Sequence, residues 1–177
     1  LSYDIGEKNE IMASYSRRIN RPGGWDLNVV PTYFNRYTIR EGNPELEPEY
    51  TDSYDLGYML KFGRSYLSLE AFNRITKNKI ERIETLGEDG ILYLKSENSG
   101  KDYSTGLELM GNVEFTKWLT INASISGFKY RLKGEIDGEA FDRESTNWSG
   151  RMNTTLKFSD NSRMQIQGFY RGPSVSA

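Results

Sequence analysis

One parity rule constrains this chain more than any other feature. In each β-prone run, apolar side chains hold alternate positions and polar side chains hold the positions between. Successive side chains of a strand point to opposite faces, so a period of two marks a strand with one apolar face. In 49–62, Tyr54, Leu56, Tyr58, Leu60 and Phe62 share one parity, and Ser53, Asp55, Gly57 and Lys61 share the other, with Met59 the exception. The runs 10–19, 66–77, 101–115, 119–131, 145–158 and 163–171 repeat the rule, and 1–5 adds a stub. The expectation is an all-β, antiparallel up-and-down meander of about seven strands plus that stub.

Alternation alone fits a soluble sheet or a membrane wall. The connections discriminate. They run short, long, short, long along the chain, with long segments expected at 20–48, 78–100 and 132–144. All short turns then fall at one end of the sheet and all long loops at the other, as in outer-membrane barrels. Within 78–100, Asp89-Gly90 sits between β-prone runs, a hairpin signal that predicts a ribbon protruding past the sheet. A Lys or Arg facing lipid at mid-bilayer costs about 2–4 kcal/mol. Arg74, Arg151, Asp55, Glu70 and Glu108 all take the polar parity, whereas Lys129 and Arg131 take the apolar parity only at a loop end, where they can snorkel. The expectation sharpens to the wall of a transmembrane β-barrel of the outer-membrane type.

Composition removes several chemistries. Cysteine and histidine are absent, which excludes disulfides, thiolate catalysis and the commonest general base and metal ligand. A net charge of −2 with no basic block argues against a nucleic-acid partner. No charge-free run is long enough for a transmembrane helix. Nucleotide-binding and hydrolase motifs are absent, so catalysis is the least expected activity, and no cofactor is expected.

The candidate functional residues are few. Trp25, Tyr33, Phe34 and Tyr37 lie in the first long loop, either contacting ligand or packing that loop against itself. Trp118, near a short turn, and Trp148, near a long loop, are expected in aromatic girdles at opposite membrane interfaces. Glu45, Glu47 and Glu49 are read as a solvated turn, because Pro44 and Pro48 hold the chain outside the sheet and permit a strand only after Pro48. The acidic stretch 135–144 is read as a solvated loop rather than a calcium site.

The stretch Gly42-Asn43-Pro44-Glu45-Leu46-Glu47-Pro48-Glu49 resembles the GNPxLxPE segment in the barrel of TonB-dependent outer-membrane receptors. Its signature positions are Gly42, Asn43, Pro44, Leu46, Pro48 and Glu49. Upstream, Tyr15 to Pro22, Leu27-Asn28 and Pro31 look like the barrel family common in Bacteroidota, and Tyr54 to Tyr58 and Tyr170 to Pro173 fit the same pattern. The resemblance covers nearly the whole chain. It implies an outer-membrane location, contact with outer-membrane lipid, and capture and import of an extracellular nutrient. It also implies coupling to TonB through a plug region, and in some members a surface lipoprotein partner. No plug or TonB box is assigned, and the chain is expected to be a central-to-late piece of a larger barrel. Two other readings stand beside it. One is a self-contained eight-stranded barrel, structural or adhesive, closed by pairing 1–5 with 163–171. The other is a soluble β-sandwich binding module.

Overall fold

A computed structural model describes residues 1–136 and 139–172. The strands are β1 (Ser2–Ile5), β2 (Asn9–Asn20), β3 (Thr32–Asn35), β4 (Thr38–Glu41), β5 (Glu49–Phe62), β6 (Ser65–Leu86), β7 (Leu92–Thr116), β8 (Leu119–Ile136), β9 (Glu139–Ser159) and β10 (Ser162–Arg171), with one short helix, α1 (Gly24–Leu27). They form one sheet in the order β1-β2-β5-β6-β7-β8-β9-β10, and each neighbouring pair on this path is antiparallel. The meander is therefore as the parity rule predicts. β1 and β10 occupy opposite edges and do not pair, so the sheet does not close as the eight-stranded alternative requires.

The register gathers the parity pattern into rows. One row reads Ala13, Leu56, Ala71, Leu107, Gly127 and Trp148, and the next reads Ile11, Tyr58, Leu69, Leu109, Ile125, Gly150 and Tyr170. On the reverse face, Gly57, Glu70, Glu108, Ser126, Ser149 and Arg171 form a polar row. The apolar rows are uncovered, with Leu56, Leu107 and Ile125 at 59%, 55% and 58% exposure. An aqueous protein buries such a continuous surface, whereas a membrane wall leaves it for lipid. Among the described residues the buried apolar side chains are Ile39, Leu46, Phe72 and Leu132, and all four lie off the apolar rows.

The reverse face is not uniformly polar. Phe72 and Phe128 approach to 6.2 Å across Gly106, and the Arg74 guanidinium lies 4.5 Å above the Phe72 ring. A Cβ on Gly106 would stand 2.8 Å from Phe72 Cζ and 2.5 Å from Gly127 O, so glycine makes room for the two rings.

Two of the three expected long loops are mostly strand. β6 and β7 stay paired to Leu86 and Leu92, so 78–100 is chiefly the predicted ribbon, with a connection only from 87 to 91. The ladder slips between Lys77 and Ile80, where Asn78 adopts φ 54° and Gly100 φ 135°. That slip changes which parity faces out, which is why alternation breaks at 78 although the strand continues. The stretch 132–144 is likewise strand on both sides of 137–138, with Leu132 opposite Arg143 and Lys133 opposite Asp142. It read as a loop because neither of its faces meets lipid and both can carry charge. Asp137 lies outside the described residues.

Candidate functional site

The third long segment, 21–48, is folded onto the β6–β7 ribbon, and this assembly forms the rim at the long-connection end of the sheet. It begins with α1. The Asp26 carboxylate accepts a hydrogen bond from the Gly23 N–H at 3.2 Å, closing the turn. The same carboxylate accepts from the Arg40 guanidinium at 2.8 Å and from the Ser96 hydroxyl at 3.0 Å, tying α1 to β4 and β7. Burial pushes the Asp26 carboxyl up, but the hydrogen bonds from Ser96, Arg40 and Gly23 outweigh it and hold the group below its ordinary value.

The chain then makes the hairpin β3–β4. Asn35 Oδ1 accepts from the Tyr37 N–H at 2.7 Å across its turn. β4 adds to β7 in parallel, pairing Thr38 with Leu92 and Glu41 with Lys95, and its Ile39 is buried. This is strand addition to an otherwise open ribbon edge, with main-chain bonds as the fastening.

The signature segment is a latch. The Gly42 N–H donates to Asn28 O at 2.9 Å, and any Cβ at Gly42 would collide with the Asn28 backbone. Asn43 donates its N–H to Asp26 O at 2.6 Å and its side-chain amide to Ser96 O at 3.3 Å. Its Oδ1 accepts from the Glu45 N–H at 3.0 Å, the local turn that leads into Pro44-Glu45. Leu46 is buried. The Glu47 N–H donates to Asn98 Oδ1 at 2.9 Å, and Asn98 Nδ2 donates back to Glu47 O at 3.0 Å. After Pro48, β5 starts at Glu49, as the prolines require.

The reading of the three glutamates as a solvated turn needs correction at Glu49. Glu45 is exposed and fits a solvated turn. Glu47 accepts from the Asn78 side chain at 2.7 Å. Glu49 is buried to 7% exposure and accepts from Asn20 Nδ2 and from the Ile80 N–H, both at 2.7 Å, while Lys79 Nζ lies 3.6 Å away. Sequence reasoning missed the burial and contacts of this carboxylate, and missed Asp26, Asn78, Ser96 and Asn98, because most of their partners lie on other strands, up to 70 positions away. The one sequence signal was the position of Glu49 directly after Pro48, where strand pairing begins.

The four loop aromatics sit on the outer parts of this latched segment. Trp25 is on α1, Tyr33 and Phe34 are on β3, and Tyr37 is in the hairpin turn, at 61–72% exposure. Among the described residues none of the four stacks on another ring. Trp118 occupies the β7–β8 turn, where its carbonyl accepts from the Lys157 N–H at 2.8 Å. Trp148 lies on the apolar parity of β9 and stacks on Tyr170 at 4.2 Å. From Trp148 to Lys157 the strand runs about 30 Å, which after the usual tilt is comparable to an apolar band of about 25 Å.

Above Trp148 the outward face turns ionic. Lys129 pairs with Glu144 at 2.7 Å, and Arg131 Nε lies 2.8 Å from Asp142 and 3.1 Å from Glu144. The Arg131 hydrogen bond holds the Asp142 carboxyl down at about 2. The acidic stretch thus spends Asp142 and Glu144 on neighbouring strand cations.

The comparisons agree with this geometry. The model of the outer membrane protein beta-barrel family matches residues 1–177. No curated protein matches the chain in sequence. Among solved structures, the siderophore receptor PirA from Pseudomonas aeruginosa superposes with a TM-score of 0.63 at 18% identity, covering 96% of this chain and 37% of its own. The ferric enterobactin receptor PfeA from the same organism gives 0.57 at 16%, covering 94% and 33%. The copper transporter OprC gives 0.58 at 13%, covering 95% and 29%. The chain spans about a third of the length of these proteins. An exposed apolar face on an antiparallel meander, short turns at one end and the family match over every residue lead to one conclusion: the chain belongs to the outer membrane protein β-barrel family, and its strands are outer-membrane barrel wall.

Proposed function

We propose that this chain is the wall and part of the extracellular rim of a TonB-dependent receptor that captures a nutrient and imports it. The observation that carries the reading is the latched segment 21–48, which holds Trp25, Tyr33, Phe34 and Tyr37 uncovered at the long-connection end of an outer-membrane wall. Exposed rings on a braced scaffold suit ligand capture, because little ordering entropy is lost on contact. Similarity to receptors known for siderophores, ferric enterobactin and copper supports a transport role rather than catalysis.

In this reading the chain is one segment of a larger barrel. The unpaired outer edges of β1 and β10 are where further wall strands dock, since an open edge is unstable in lipid. The plug, and with it the contact to TonB, belongs to another part of the receptor, and a surface lipoprotein would meet the rim. Trp148 with Tyr170, and Trp118 with Phe115 and Phe158, form the outer and inner aromatic girdles.

The test is uptake and binding by the complete receptor in cells. Deleting TonB should abolish growth on the scarce nutrient. Trp25→Ala with Tyr33→Ala and Tyr37→Ala should weaken cargo binding at least tenfold while surface abundance stays normal. Uptake that persists without TonB would overturn the transport reading. Unchanged binding in the triple variant would remove the aromatics from the cargo site.

A further inference from the structure

The two edges of the β6–β7 ribbon end differently. β4 pairs with β7 from Leu92 to Lys95, and the latch continues along that edge at Ser96 and Asn98. On the other edge, β5 stops pairing with β6 at Tyr50 and Lys77, and among the described residues no strand lies beside 80–86. Yet 80–86 is regular strand, paired with β7 from Asn98 to Leu92 without a slip. The Ile80 N–H donates to Glu49, so it points away from β7. Hydrogen-bonding direction alternates along a strand, so the main-chain groups of Arg82, Glu84 and Leu86 point the same way.

Sheet edges usually carry a guard against further pairing, such as a short or irregular strand, a proline or a lysine. β3, at the far side of the rim sheet, is guarded: it has four residues, its register breaks between Tyr33 and Asn35, and Pro31 precedes it. The segment 80–86 has no Pro, Gly or Lys and an unbroken ladder.

The side chains specify what this edge accepts. Arg82 and Glu84 share one face and are exposed, and among the described residues neither has an ion-pair partner. Their neighbours across the ladder, Ser96 and Leu94, bring no charge. An antiparallel strand fits best with an acid opposite Arg82, a base opposite Glu84 and an apolar residue opposite Ile83. The segment itself has this order when reversed: Glu84 then meets Arg82, Ile83 meets Ile83, and Leu86 meets Ile80. A shift of two residues either way sets Arg82 on Arg82 or Glu84 on Glu84. A second copy in the same membrane does not supply this strand, because its β6 runs toward the rim in the same direction. The occupant is therefore a strand from a different protein.

We infer that 80–86 is a docking edge that takes an extended strand of a partner protein by β-addition, with Arg82 and Glu84 selecting a strand of complementary charge order. The edge needs the proposed receptor only to face the cell exterior, and pairing there is independent of import.

The experiment uses the complete receptor in detergent micelles, with hydrogen exchange resolved to single amides. The probe is a synthetic peptide with the sequence of residues 80–86. A second peptide interchanges its charges, as Arg82→Glu with Glu84→Arg. Without peptide, the N–H groups of Arg82 and Glu84 should exchange at least tenfold faster than those of Ile83 and Thr85, which face β7. The first peptide should slow them at least tenfold, and the interchanged peptide should need about tenfold higher concentration for the same effect. A receptor carrying Arg82→Glu with Glu84→Arg should reverse that preference. Glu84→Pro removes a donor only from the open edge and should abolish protection of Arg82 by either peptide. Heat-modifiable gel mobility identifies folded protein, and the charge-interchanged receptor serves if the proline variant does not fold. Slow exchange at Arg82 and Glu84 in the receptor alone overturns the inference, because another part of the receptor or a second copy then fills the edge. Equal protection by the two peptides in both receptors also overturns it, because the charges then select nothing.

Discussion

Glu49 Oε1 accepts a 2.7 Å hydrogen bond from the backbone N–H of Ile80, so the first residue of β5 holds β6 beyond the point where the two strands stop pairing. The last paired residues are Tyr50 and Lys77, and the ladder slip at Asn78 follows immediately. The carboxylate supplies the acceptor that a continuing strand would have supplied.

Removing that acceptor leaves the Ile80 N–H without it and deprives Asn20 and Lys79 of their shared partner. Glu49→Ala should therefore destabilise the folded receptor by about 3 kcal/mol, the range for a buried charged acceptor and its orphaned donors. Glu49→Gln should lose less. Urea-dependent unfolding in micelles measures the cost, and hydrogen exchange at Ile80 should accelerate. A protected Ile80 amide in Glu49→Ala would show that the carboxylate is not its partner.

Gly42→Ala drives a methyl into the Asn28 backbone, where no flexible side chain can give way. The expected cost is about 1–3 kcal/mol, as for other overpacked sites. Gly168→Ala is the matched control, because nothing stands within 4 Å of a Cβ there. Equal stability of the two variants would disprove the close approach at Gly42.

The rim should loosen in acid. Asp26 is held below its ordinary carboxylate value, so its contribution is complete above about pH 4. That contribution fades as pH falls through the lower folded-state value. The protection factor of the Asn43 N–H, which donates to Asp26 O, should be flat from neutral pH to about pH 5 and should fall below about pH 4. Asp26→Asn should be loose already at neutral pH, with little further change. An identical pH profile in both proteins would exclude Asp26 as the titrating group.

Leu109 lies in the middle of the apolar rows and Thr105 four residues nearer the rim on the same face. Leu109→Arg should cost about 2–4 kcal/mol in a lipid bilayer and Thr105→Arg about 0–1 kcal/mol. The contrast, read from unfolding in liposomes, reports depth. Similar costs at both positions would mean that this face is not lipid-exposed as placed.

Much of this architecture is legible in local chemistry. Alternation marks the faces because a strand has a period of two and lipid tolerates no central charge. Pro48 locates the start of β5 because proline cannot join a ladder. The legibility ends where those forces end. Past Lys77 and Lys129 neither face meets lipid, so the pattern lapses although β6 to β9 continue. At Asn78 and Gly100 the ladder slips, and a parity reading is blind to a slip.

The sequence by itself determined the strand type, the sidedness of the wall and the asymmetry of its connections, because each follows from neighbours a few residues apart. Only the tertiary structure decided what the signature segment does. Asn43, Glu47 and Glu49 find their partners at Ser96, Asn98, Asn78 and Ile80, far along the chain. It also decided that β4 closes the β7 edge of the ribbon and not the β6 edge along 80–86. Long-range register sets both, and register is a property of paired strands that no single strand encodes.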